Sequence, residues 1–246
     1  GHRPLLQNDP NRLPDIYDPA FIHADADLTA VAAGLAASRS GRICLYGPPG
    51  TGKTAYGRWL AEQMGAPLLV KRASDLMSPY VGENERNIAR AFREAQSEGA
   101  VLLIDEVDSF LQDRREAQRG WEVSLVNEML TQMESFPGVF IASTNLMDGL
   151  DQAALRRFDL KVKFGFLRPE QAQELLRRHC AQLNLAIPQP DLLSRLKRLD
   201  RLTPGDFAAA MRQHRFRPIE STTALVAALE AECAVKEGAR PTVGFL

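Results

Sequence analysis

Residues 47–54 read Gly-Pro-Pro-Gly-Thr-Gly-Lys-Thr. The spacing G-x-x-x-x-G-K-[ST] suits a loop that wraps phosphate. Gly47, Gly50 and Gly52 free the backbone to turn successive N–H groups toward anionic oxygens. A helix starting where the loop ends would add its positive terminus. Pro48, Pro49 and Thr51 fill the variable positions. Lys53 would reach β- and γ-phosphate oxygens, and Thr54 would offer a hydroxyl to Mg²⁺. The plain alternative is a chance Gly-rich turn. The apolar run Ile43–Tyr46 directly before the loop puts it at the strand-to-helix junction that the chemistry needs.

A second cluster ends another apolar run, Val101-Leu102-Leu103-Ile104-Asp105-Glu106. A buried parallel strand presents its C-terminal end to the ligand crevice, so both acids would emerge beside the phosphates. Asp105 would hold Mg²⁺, mostly through water, and Glu106 would orient and polarise an attacking water. Alone, two acids at a strand end read equally well as solvated side chains. Paired with the phosphate loop, the adjacent Asp-Glu points to ATP hydrolysis rather than small-molecule kinase chemistry. A third run, Val139–Ala142, leads to Ser143-Thr144-Asn145. The Asn145 amide could bond the γ-phosphate or the lytic water, or simply serve a turn.

These groups need a scaffold that brings strand ends together. The short apolar runs 43–46, 68–70, 101–104, 139–142 and 160–164 alternate with helix-length amphipathic segments such as 53–64, 85–97 and 122–134. Such alternation predicts a parallel sheet covered on both faces. After Phe166-Leu167-Arg168-Pro169 the strand pattern stops, and helical patterns follow at 169–184, 190–198, 204–215 and 220–236. The expected organisation is an irregular, Pro-rich lead-in at 1–24, an α/β domain at 25–167 and an all-helical domain at 168–246. Gly1-His2 reads as a tag remnant, and the chain as a fragment of a longer protein.

Bulk composition narrows the function classes. The chain has 246 residues, 45% hydrophobic, with net charge −1, which gives no global electrostatic case for nucleic acid or anionic membrane. No apolar run approaches the length of a membrane span. The widely spaced Cys44, Cys180 and Cys233 argue against a disulfide framework or zinc site and suit a reducing compartment, the cytoplasm.

The motifs GPPGTGKT, LLIDEVDS, ASTN and LDQAALRRFD, in that order, resemble the AAA ATPases proper, a branch of the AAA+ superfamily. The resemblance spans about residues 40–235. It implies a P-loop NTPase three-layer sandwich with strand order 5-1-4-3-2 and a small C-terminal helical lid. It also implies ATP and Mg²⁺ as cofactors, and a ring, commonly a hexamer, that remodels or unfolds proteins. By the same resemblance Tyr80-Val81-Gly82 would be an aromatic–hydrophobic–Gly loop facing a central pore and gripping extended polypeptide. Tyr80 could instead tuck into its own subunit. Trp121 would belong to a second pore loop or to packing.

The family's arginine fingers fall near Arg156-Arg157-Phe158-Asp159. Here the pair is adjacent and the segment about three residues short, so the finger is Arg157 by position, with Arg156 second. Ordinary surface ion pairs are the alternative. His179 matches a histidine near ribose and adenine, or is structural. Gly205, in Thr203-Pro204-Gly205-Asp206, matches a helix start that approaches the nucleotide. The usual Asp-Ile-Gly-Gly lead-in is missing, which leaves Ile16 and Tyr17 as weak adenine-pocket candidates. The rival function is a nucleic-acid-acting AAA+ relative, such as a loader or helicase accessory. The aromatic loop and the absence of a strong basic stripe favour a protein substrate.

Overall fold

The computed structural model describes residues 16–80, 82–108, 120–145 and 152–238. Six strands form one sheet: β1 (His23–Ala24), β2 (Gly41–Tyr46), β3 (Leu68–Arg72), β4 (Val101–Asp105), β5 (Val139–Thr144) and β6 (Leu160–Gly165). Their order is β1-β6-β2-β5-β4-β3. The pairings β2–β5, β2–β6, β3–β4 and β4–β5 are parallel. Leaving out the two-residue edge strand β1, the order is the expected 5-1-4-3-2. The sequence reading lacked only that edge.

The strand sequences explain their places. In β5 every residue is buried, as is Val101–Ile104 of β4, because a central parallel strand is covered on both faces. On β6, Val162 and Phe164 are buried and Lys161 and Lys163 exposed, the period-2 pattern of a half-covered strand. The intervening helices are α1 (Leu28–Ser38), α2 (Lys53–Met64), α3 (Ala73–Leu76), α4 (Glu83–Glu98), α5 (Gly120–Ser135) and α6 (Gln152–Leu155). Asp27 caps α1 by accepting from the Ala30 N–H, and Gly99 ends α4 in the left-handed conformation.

The chain divides into two compact units. The first takes in Ala24–Pro48 and Lys53–Phe164. Its core packs Ile88 and Phe92 of α4 and Met133 of α5 against Leu102, Ile104 and Phe140. Among the described residues, the second unit joins Ile16–His23 and the loop tip Pro49–Gly52 to Gly165–Gly238. Its helices are α7 (Pro169–Gln182), α8 (Pro190–Lys197), α9 (Pro204–His214) and α10 (Thr222–Gly238). Three of them begin on proline, whose fixed φ suits a first turn and whose missing N–H costs no bond there. Leu176, Leu196, Phe207, Leu225 and Leu229 form this unit's core.

The lead-in departs from expectation where it is described. Pro19–Phe21 forms a 3₁₀ turn capped by the Asp18 side chain, and β1 follows at once. The segment belongs to the second unit: Phe21 enters that core, and the Gln171 amide donates to the carbonyls of Ala20 (2.8 Å) and Ile22 (3.2 Å). Proline content marks where a ladder breaks but carries no trace of an amide 149 residues away in sequence from Ile22.

Candidate functional site

In the first unit, β2 runs into Gly47 and α2 opens on Lys53. Gly47 has φ +142°, and a Cβ there would lie 2.1 Å from the Phe164 carbonyl oxygen, so no other residue fits. Its N–H donates to the Thr144 carbonyl at 3.2 Å. Lys53 is 6% exposed. Its Nζ donates to the carbonyls of Gly47 (2.8 Å) and Pro48 (2.9 Å). Burial pushes the ammonium pKa down to about 8, and the charges of Asp105 and Asp108 push back. A buried ammonium whose hydrogen bonds go to neutral carbonyls is an electrostatic draw for an anion.

At the loop tip, Gly50 and Gly52 also have positive φ and Thr51 is buried. Within the second unit the Gly205 N–H donates to the Gly50 carbonyl at 2.9 Å. A Cβ on Gly205 would come within 2.9 Å of Gly50 Cα, so the backbones approach this closely only with glycine at 205. These positive-φ glycines and the buried Lys53 fit a polyphosphate.

The first unit also brings the acids to the loop. Thr54 donates its hydroxyl to Asp105 Oδ2 at 3.0 Å. Asp105 Oδ1 accepts the Glu106 N–H at 3.0 Å and the Ser143 hydroxyl. The hydroxyl and carboxylate oxygens of Thr54 and Asp105 are hard donors of the kind Mg²⁺ takes. Glu106 is exposed, one residue past β4, and has φ +58°, a left-handed conformation that strains a residue bearing a Cβ. Asn145 follows directly on β5 and is half-buried. β4 and β5 pair with Ile104 opposite Ala142, so Asp105, Glu106, Ser143, Thr144 and Asn145 all gather at one end of adjacent strands.

Three polar residues escaped the sequence reading. Ser143 and Thr144 are 0% and 1% exposed, and Thr144 donates its hydroxyl to Asp108. Their signal was available: two hydroxyl residues close an otherwise apolar central strand, and a third acid follows Asp105-Glu106.

Arg157 lies on the turn after α6, its Nε 2.7 Å from Glu134 Oε1 of α5. Arg156 is exposed, without an ion-pair partner among the described residues. Tyr80 is 69% exposed, so it does not tuck into its own subunit. Gly82, φ +78°, leads into α4, while Val81 lies outside the described residues. Trp121 falls in the first turn of α5. In the second unit His179 is 7% exposed and stacks on Phe207, with ring centroids 5.3 Å apart and planes at 14°. Burial lowers its pKa to about 4, opposed by a hydrogen bond with Gln182. Its Nδ1 is buried with no hydrogen-bond partner among the described residues. Ile16 packs against this unit's core. Among the described residues no helix is long and apolar enough to cross a membrane.

Residues 43–166 match the model of the ATPase family associated with various cellular activities. The chain belongs to the AAA ATPase family. As a AAA protein it binds and hydrolyses ATP. It is 34% identical over 195 residues to spastin of Drosophila persimilis, covering 76% of this chain and 24% of that protein. Spastin of Drosophila melanogaster matches with the same identity, 26% of it being covered. The 26S proteasome regulatory subunit 6B homolog of Saccharomyces cerevisiae is 34% identical over 187 residues, 72% of this AAA chain and 44% of that subunit. The AAA chain thus spans less than half the length of each of these relatives.

Proposed function

We propose that this AAA chain is the motor module of a ring ATPase that remodels or unfolds protein substrates. The observation that carries this reading is Tyr80. It is a large aromatic side chain, 69% exposed, on the loop that leads into α4. It suits a surface that wedges against extended polypeptide with little sequence preference, and Val81 and Gly82 complete that loop. Similarity to a proteasome regulatory subunit fits a protein substrate.

In this reading the loop Gly47–Thr54 cradles the phosphates through backbone N–H groups. Lys53 exchanges its two loop carbonyls for β/γ oxygens, and Thr54 and Asp105 hold Mg²⁺. The cation, when bound, neutralises charge that builds on the phosphates. Glu106 orients the lytic water, and Asn145 bonds the γ-phosphate or that water. His179 offers its unpaired Nδ1 to the nucleoside, and Gly205 supports the loop tip. Arg157, with Arg156 second, reaches a neighbouring subunit's nucleotide, which requires Arg157 to release Glu134. The assembly is a hexamer, and its three buried thiols suit the cytoplasm.

The test holds the Glu106→Gln protein with ATP and Mg²⁺ and measures its mass in solution and its affinity for a fluorescently labelled unfolded polypeptide. The reading expects a closed oligomer that binds polypeptide, and loss of that binding in a Tyr80→Ala, Glu106→Gln double variant. ATP hydrolysis stimulated by single-stranded DNA, with a steep salt dependence and no affinity for polypeptide, favours the nucleic-acid reading instead.

A further inference from the structure

Ser143 stands where packing alone would place an apolar residue. It lies on the central strand β5, is 0% exposed, and follows Val139–Ala142, all apolar. A hydroxyl taken out of water is costly unless it finds a partner. Ser143 finds two uses. Its carbonyl accepts the Val107 N–H at 3.0 Å, tying the chain just past β4 to β5. Its hydroxyl donates to Oδ1 of Asp105.

The Asp105 carboxylate is therefore held on both sides. Oδ1 takes the Ser143 hydroxyl and the Glu106 N–H, and Oδ2 takes the Thr54 hydroxyl. The outer torsion of an aspartate is broad, so its carboxylate needs firm holds to keep one orientation. At Oδ1 the Glu106 N–H comes from the adjoining residue of the same strand end, and the Ser143 hydroxyl adds a hold from the neighbouring strand. From this geometry we propose that Ser143 is a positioning residue for ATP hydrolysis: it locks the Asp105 carboxylate so that Oδ2 stays on Thr54, setting both oxygens of the cation site before a cation arrives. In this proposal Ser143 acts through Asp105 and not by its own contact with nucleotide or cation. The proposal rests on the reading of Thr54 and Asp105 as the Mg²⁺-holding pair.

Ser143→Ala removes the hydroxyl and keeps a small apolar side chain suited to the site. Binding of a fluorescent ATP analogue is titrated with EDTA and then across Mg²⁺ concentrations, alongside steady-state hydrolysis and thermal melting. Wild type should bind the analogue more tightly as Mg²⁺ rises. The variant should match wild type in EDTA, need about five- to tenfold more Mg²⁺ for the same gain in affinity, and recover kcat to within about twofold at saturating Mg²⁺. Ser143→Cys, a weak donor of similar size, should fall between the two. A variant with unchanged Mg²⁺ dependence, whatever its melting temperature, shows the hydroxyl to be structural only and overturns the proposal. Asp105→Asn separates the two layers. If it leaves the Mg²⁺ dependence of wild type intact, the reading of Asp105 beneath the proposal fails, and the proposal falls with it.

Discussion

Thr54 donates its hydroxyl to Asp105 Oδ2 at 3.0 Å across 51 residues of sequence. One residue lies in the first turn of α2 and the other closes β4, so the contact joins the phosphate loop to the acid strand. Replacing Thr54 by Val keeps the shape and removes the donor. Hydrolysis at limiting Mg²⁺ should fall at least tenfold, with nucleotide affinity in EDTA unchanged. A steady-state Mg²⁺ titration checks this.

Lys53→Ala should weaken binding of a fluorescent ATP analogue about 100-fold or more, since charge-assisted bonds to the β/γ oxygens contribute roughly 1.5–3 kcal/mol each. Because Lys53 is a buried ammonium held by two carbonyls, its removal should not lower the melting temperature of the nucleotide-free protein. Affinity within twofold of wild type would remove the phosphate-loop assignment.

Glu106→Gln should bind nucleotide as wild type does and hydrolyse it at least 100-fold more slowly, because the amide keeps the size of the side chain and loses its basicity. Single-turnover hydrolysis reads the difference directly. An unchanged rate means that another group orients the water.

Arg157→Ala should leave ATP affinity within about threefold and slow hydrolysis by roughly 10³, the scale of an arginine finger acting in trans. Mixing it with Lys53→Ala should restore part of the activity in shared rings. Arg156→Ala run in parallel decides between the two arginines, since Arg157 is engaged by Glu134 while Arg156 has no ion-pair partner among the described residues. The Arg157–Glu134 pair is itself half-exposed and should be easily broken, so Glu134→Gln should not lower the melting temperature measurably.

His179 gives the second unit an acid-sensitive element. Its folded pKa, about 4, lies below the ordinary 6.5 because burial disfavours the charged ring. Between those values the unfolded chain binds the proton and the folded chain does not. The His179 contribution to stability should therefore be constant above pH 6.5 and fall as pH drops toward 4, by at most about 3 kcal/mol. His179→Phe should flatten that part of the curve while keeping the stack on Phe207. Urea melts at pH 7.5 and pH 5 of both proteins supply the comparison.

By itself the sequence determined the elements and the inventory of reacting groups. The spacing of Gly47–Thr54, the apolar runs that end at Asp105 and Ser143, and the switch from short apolar runs to helical patterns after Phe166 are local features. Local features survive being read one stretch at a time, because backbone preference and solvent exposure act within a few residues. What the tertiary structure decided depends on register and docking. Pairing of Ile104 with Ala142 sets Asp105 beside Ser143, and a shift of one residue would put Ser143 on the opposite face. The turn at Pro19–Phe21, the stack of His179 on Phe207 and the ion pair of Arg157 with Glu134 likewise join residues that no periodicity links. Hydrogen bonds and ring contacts act over a few ångströms of space, and which distant segments come within that reach is fixed only when the sheet and the helical core have packed.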